Sequence, residues 1–193
     1  LSELTQNRLS VSHVHAMNSG GLVYEDRWVG NYVRPGLLVY GIVPSGRRRE
    51  RGEWLKRLRP VLSLKSKVAF VKEVPTGSPI SYGQKDVCSR TSVLATVCAG
   101  YGDGVLRSGG RRMEVMIDGK RCPVRGIITM DQMIVDVSEV PNVRRGDEVV
   151  IIGTQRGDGI SAKEQAAAAG TIPWEVLTSI TQRVPRIYRG VSV

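Results

Sequence analysis

Histidine, phenylalanine and paired cysteine are scarce in this chain of 193 residues, and each scarcity excludes something. The two histidines, His13 and His15, share one strand-like HVH, and no CxxC or HxxxH spacing exists, so no metal site is indicated. Cys88, Cys98 and Cys122 form an odd set without paired spacing. That pattern argues against a disulfide framework and fits a reducing, cytoplasmic setting. No run approaches the ~18 apolar residues of a membrane span. The opening LSELTQNRLS has neither a basic nor an apolar leader region, and without an initiating Met the chain reads as part of something larger.

What remains is ordinary globular material, with 41% apolar and 24% charged residues. The net charge of +10 is unusual, but much of the excess is local. Arg47, Arg48, Arg49, Arg51, Lys56, Arg57 and Arg59 crowd into one short stretch that reads as a solvated linker or helix face. The single Phe and the lack of aromatics among these charges leave no RRM, KH or zinc-finger pattern.

Along the chain the character changes near residue 60. Before it, a short strand SVSHVHA (10–16) leads to a polar turn at Asn18-Ser19-Gly20-Gly21, and an apolar run, VRPGLLVYGIVPS, occupies 33–45. Strands followed by small polar residues resemble the strand ends of a parallel barrel, and two such units cannot close one. Residues 47–60 read as a helix through Trp54, Leu55 and Leu58. After it come alternating runs at 61–74, 92–100, 112–129, 132–138 and 147–153, punctuated by turns at Asp118-Gly119, Asn142 and Arg145-Gly146-Asp147. Strands this short and frequent predict an antiparallel sandwich or barrel. Ser161 and Glu164 form a capping box for a helix stopped by Gly170, and Thr171 caps a second helix. TQRVPRIYRG (181–190) reads as a closing strand.

Three places could carry chemistry. Asn18-Ser19-Gly20-Gly21 and Arg34-Pro35-Gly36-Leu37 offer backbone amides, glycines and a hydroxyl suited to a phosphate, although glycine after a strand is usually only a turn. GYGDG (100–104) leaves the ring of Tyr101 free, with Arg107 shortly after it, and TMDQ (129–132) sets Met130 and Asp131 between two apolar strands. Tyr82, inside the turn-like SPISYGQKD, is a further oddity, because a free phenol with a pKa near ~10 is a poor base at neutral pH.

In order, HAMNSGG, VRPGLLVYG, LKSKV, ISYGQ, GYGDG, MDQM with VDV, GDEVVIIG and RVPRIY resemble the C-terminal half of alanine racemase. That family is pyridoxal-phosphate dependent and interconverts L- and D-alanine for bacterial cell walls. The resemblance implies a mixed α/β segment, 1–59, that is the remnant of a (β/α)8 barrel, followed at 60–193 by a mainly antiparallel β-barrel or sandwich with short helices. It implies that Arg34 bonds the cofactor's ring nitrogen with His15 behind it. Ser19, Gly36 and Leu37 would bind the phosphate. Tyr82 would be the acid/base on one substrate face, opposite a lysine on the other, since racemisation needs a group on each face. Tyr101 and Arg107 would line the substrate entrance, and Met130 and Asp131 would sit beside the substrate. The site would be shared across a homodimer.

The departures are as informative. No lysine lies in the family's Schiff-base motif, roughly Lys-Ala-Asn-Ala-Tyr-Gly, so this stretch alone should not racemise anything. Trp174 replaces a phosphate-bonding tyrosine, and Ile127 replaces an entrance arginine, with Arg125 two residues away. The alternatives are a catalytically inert β-domain kept for dimerisation or binding, and a basic nucleic-acid module motivated only by charge.

Overall fold

The computed structural model describes residues 6–7, 11–27, 30–46 and 52–190. The chain divides into two compact units, Leu1–Leu62 and Ser63–Val193. No helix among the described residues is long and apolar enough to cross a membrane.

In the first unit, strand β1 (Met17–Asn18) runs parallel to β2 (Val33–Arg34), with Met17 opposite Val33 and Asn18 opposite Arg34. Each strand turns at once into a short helix, α1 (Ser19–Tyr24) and α2 (Gly36–Val39). The polar turn expected at 18–21 is therefore the start of α1, where the Asn18 side chain accepts the Gly21 amide at 2.9 Å. Met17, Leu22, Val23 and Leu38 form the core, with Tyr24, Val43, Leu55 and Leu58 packed against it.

Of the strand expected at 10–16, residues 11–16 are described, and they form no strand but only a bridge between His15 and Gly30. Its backbone is engaged by a turn instead: Val14 donates to Asn31 Oδ1, and its carbonyl accepts the Asn31 and Tyr32 amides. Of the expected helix at 47–60, residues 47–51 lie outside the described residues. The rest is a 3-10 turn, Glu53–Arg57, preceded by Gly52 at φ 99°.

The second unit holds β3 (Leu64–Val74), β4 (Pro79–Ile80), β5 (Asp86–Val87), β6 (Ser92–Val97), β7 (Glu114–Ile117), β8 (Lys120–Arg125), β9 (Met133–Asp136), β10 (Glu148–Gln155) and β11 (Asp158–Ile160). Helices α3 (Ala162–Ala169) and α4 (Pro173–Ser179) follow. Six strands close an antiparallel barrel in the order β3-β6-β9-β8-β7-β10, the seam between β7 and β10 pairing Ile117 with Val149 and Met116 with Val150. Strand β11 continues from β10 outside the ring. Closure removes exposed edges and buries Val68, Val97, Val115, Met116, Ile117, Val124, Met133, Val135 and Val149. The turn at Asp118-Gly119 has φ of 53° and 79°, the left-handed pair that a tight hairpin needs.

Helix α3 carries the expected capping box, the Ser161 amide donating to Glu164 and the Glu164 amide to Ser161 Oγ, and Gly170 ends it at φ 75°. Buried Gln165 pins α3 to the barrel by donating to the carbonyls of Glu114 and Ile151. Helix α4 is capped at Ile172 rather than Thr171, whose hydroxyl instead bonds Glu175 within the first turn. The closing strand expected at 181–190 is absent. All six ring strands already have two neighbours, and the Arg186 guanidinium occupies the carbonyls of Ile180, Thr181 and Val184. Ile187 and Tyr188 are left exposed.

Candidate functional site

In the first unit, parallel pairing sets two helix starts side by side. The first-turn amides of a helix have no intrahelical acceptor, and here those near Ser19-Gly20 and Gly36-Leu37 belong to adjacent turns. Ser19, 4% exposed, braces the two: its hydroxyl donates to the Pro35 carbonyl and accepts the Leu38 amide at 3.3 Å. A Cβ at Gly36 would point toward Ser19 Oγ at 3.7 Å, and φ of 24° there disfavours any other residue. Arg34, opposite Asn18, is exposed, as is His15, and no hydrogen bond joins the two among the described residues.

In the second unit, the register decides which loops meet. Val97 pairs with Met133 at the end of β6 and the start of β9, so the segments after one and before the other leave the barrel together. The Tyr101 amide donates to the Thr129 carbonyl at 3.0 Å, and the Gly102 amide to Met130 at 2.9 Å. The approach is close enough that a Cβ at Gly100 would lie 2.1 Å from the Thr129 carbonyl oxygen. Tyr101, Met130 and Asp131 are thereby brought to one exposed rim.

Arg183, which sequence reasoning missed, locks this rim. It bonds Asp131 at 2.5 Å and lies 3.5 Å from Asp103, whose other oxygen accepts the Gly100 amide. Thr181 and Ser179 add hydroxyl bonds to the carbonyls of Gly102 and Gly104. The signal available was RVPRIY, the last segment of the ordered set, but nothing in it names a partner. Arg107 is exposed in the turn after this loop, without an ion-pair partner among the described residues. Trp174 is half-exposed in the first turn of α4.

Tyr82 sits in the turn between β4 and β5 and is 74% exposed. The ladder beneath it pairs Pro79 with Val87 and Ile80 with Asp86. Buried Asp86 meets Arg125 at 3.0 Å and the Gly126 amide at 2.6 Å, and Arg125 also reaches Asp136 at 3.2 Å. Burial pushes the Asp86 carboxyl up, but the hydrogen bonds from Arg125 and Gly126 and the charges of Arg125 and Arg111 outweigh it and hold it below the usual carboxylate range. Arg125 is therefore committed to two carboxylates and is not a free cation standing in for the entrance arginine that Ile127 replaces. Among the described residues no cluster of histidine, cysteine and carboxylates could hold a metal ion.

Residues 61–188 match the family described as alanine racemase, C-terminal domain. The alanine racemase of Halothermothrix orenii is 40% identical over 190 residues, covering 98% of this chain and 49% of that protein. That of a Geobacter species is 41% identical over 192 residues, covering 98% and 50%. Among solved structures, alanine racemase from Streptomyces coelicolor superposes with a TM-score of 0.90 at 34% identity, covering 98% of this chain and 49% of that one. The Bacillus anthracis enzyme with bound L-Ala-P gives 0.82 at 37% identity, covering 98% and 48%. The chain spans about half the length of the relatives it matches.

Proposed function

The chain belongs to the alanine racemase family, matching its C-terminal domain, and from that membership we propose that it is the C-terminal portion of a pyridoxal-phosphate-dependent alanine racemase working as a homodimer. The observation that carries this reading is the match over 61–188, inside which Tyr82, Tyr101, Arg107, Met130 and Asp131 all fall. The first unit would be the remnant of the cofactor-binding barrel.

The donor set fits a phosphate. Gly20 and Gly36 lie at two adjacent helix starts with no carboxylate among 19–21 or 36–37, and the missing Cβ at Gly36 leaves room beside Ser19. The Ser19 hydroxyl would turn from the Pro35 carbonyl to the phosphate. Ser19, Gly36 and Leu37 would hold that phosphate, and Arg34 would face the ring nitrogen, with His15 orienting it. When bound, the cofactor withdraws electrons from the substrate Cα and makes its proton acidic. Tyr82 would hold or deliver a proton on one face of that carbon. The lysine for the other face would come from outside this chain, whose lysines lack the motif. Met130 and Asp131 would position the substrate, Tyr101 and Arg107 would bound its access, and Trp174 would stand where a tyrosine otherwise bonds the cofactor phosphate. D-alanine made this way would serve peptidoglycan.

The test is isotope exchange at Cα of L- and D-alanine in the complete enzyme. Tyr82→Ala slows exchange on the L-alanine face far more than on the other. Equal loss on both faces removes the assigned role, and full retention favours the inert β-domain.

A further inference from the structure

The turn that bears Tyr82 is strained and exposed, yet its base is anchored by an ion pair between buried Asp86 and half-buried Arg125. Ser81 has φ 63° and ψ −172°, a region essentially confined to glycine, and Gly83 and Gln84 follow at φ 73° and 51°. Three of four consecutive residues with positive φ do not persist in a short turn unless the surroundings over-determine them. The backbone pairing lies on the side away from the turn, in the two ladder pairs of β4 and β5 and in bonds from the Gly77 amide to the Cys88 carbonyl and from the Cys88 amide to the Ser78 carbonyl. No hydrogen bond from the Tyr82 ring restrains it among the described residues.

The restraint comes from across the barrel rim. Ser81 Oγ donates to the Ile127 carbonyl at 2.9 Å. Gly126, at φ 65°, lies so close that a Cβ there would stand 2.6 Å from the Ser81 Cβ and 2.9 Å from the Ile80 carbonyl oxygen. Beneath that contact Asp86 takes Arg125 through both oxygens and the Gly126 amide through one, while Asp136 on β9 fixes the far side of Arg125. Asp136 is itself held by the amide and hydroxyl of Ser138. Isolated buried ion pairs contribute little net stability against apolar replacements. A chain of this kind, ending under a strained turn that carries an exposed tyrosine, has a positional use.

We propose that Arg125, with Asp86 and Asp136, is a positioning residue that sets the Tyr82 turn, a role that rests on the acid–base function proposed above for Tyr82. Arg125 touches neither substrate nor cofactor in this role. It fixes the backbone from which the phenol projects.

Amide hydrogen exchange and alanine isotope exchange on the complete enzyme test it together, using Arg125→Met, Arg125→Lys and the near-isosteric Asp86→Asn. Arg125→Met speeds exchange at residues 80–87 by roughly tenfold or more while the amides of β3 and β6 hold, as expected for a sub-global opening. Arg125→Lys, which keeps the charge but loses the fork, recovers part of that protection. Isotope exchange on the Tyr82 face falls by on the order of 10–100-fold with little change in KM, the scale expected for an ångström of misplacement. Should Arg125→Met fail to fold, Asp86→Asn carries the same two readings. Unchanged protection at 80–87 in these variants overturns the proposal. Loosened protection with unaltered isotope exchange establishes the hold on the turn but removes the acid–base reading of Tyr82, so the two failures separate.

Discussion

Arg183 reaches Asp131 at 2.5 Å and so ties the segment after α4 to the turn before β9. The same guanidinium lies 3.5 Å from Asp103, so one cation joins the two loops that carry Tyr101 and Met130. Each carboxylate alone is near the surface, where isolated ion pairs contribute little. The consequence is order in the rim rather than stability of the barrel. Arg183→Ala leaves the melting midpoint nearly unchanged but raises hydrogen exchange at residues 100–104 and 129–132. Equal exchange in variant and parent shows that the backbone bonds from Tyr101 and Gly102 suffice without it.

Gly100 makes a sharper prediction. Its φ of −147° is open to any residue, so only space forbids a side chain. A Cβ would sit 2.1 Å from the Thr129 carbonyl oxygen and 2.4 Å from that of Met130. Gly100→Ala therefore costs ~1–3 kcal/mol, the range for overpacking, as read by denaturant unfolding. Gly146→Ala is the control: nothing lies within 4 Å there, and only its φ of 96° opposes the change.

Acid should find Asp86. Its carboxyl titrates lower in the folded chain than the ~3.9 of an unfolded one, because Arg125, the Gly126 amide and Arg111 favour the charged form. The stabilisation is thus fully present above pH ~4 and is lost as pH falls through the folded value. Asp86→Asn removes this dependence. Between pH 7 and ~3 the parent loses more stability than the variant in paired denaturation curves, apart from what other carboxylates contribute to both.

Thiol chemistry offers a simple check on the barrel. Cys88 and Cys122 are buried and Cys98 is exposed. Burial, with lesser help from nearby carboxylates, pushes the Cys122 thiol up to about 11. Native protein therefore takes up one equivalent of a thiol reagent quickly, at Cys98, and the other two only on unfolding. Rapid modification of Cys122 contradicts the packing of β8 against β7.

What could be read in advance followed the range of the interaction. The Asp118-Gly119 hairpin and the Ser161–Glu164 capping box were legible because their partners lie within a few residues. The alternating runs were legible as strands because period-two burial needs no knowledge of the partner. The same reasoning misplaced residues 181–190. An alternating stretch becomes a strand only where it meets a free sheet edge, and the β7–β10 seam had left none among the six ring strands. The strand expected at 10–16 failed for a similar reason, since the Val14 backbone was bound by Asn31.

The sequence alone determined the family resemblance, the switch from α/β to β material, and which residue types stand at the rim. It could not show that Tyr101 and Met130 share one turn-to-turn contact, because the Val97–Met133 register decides it. Nor could it show that Arg125 is bound to Asp86, 39 positions away, or Arg183 to Asp131, 52 positions away. Arginine carries the same charge wherever it stands. Whether it meets a substrate or a buried carboxylate depends on which strands lie next to one another, and barrel closure decided that.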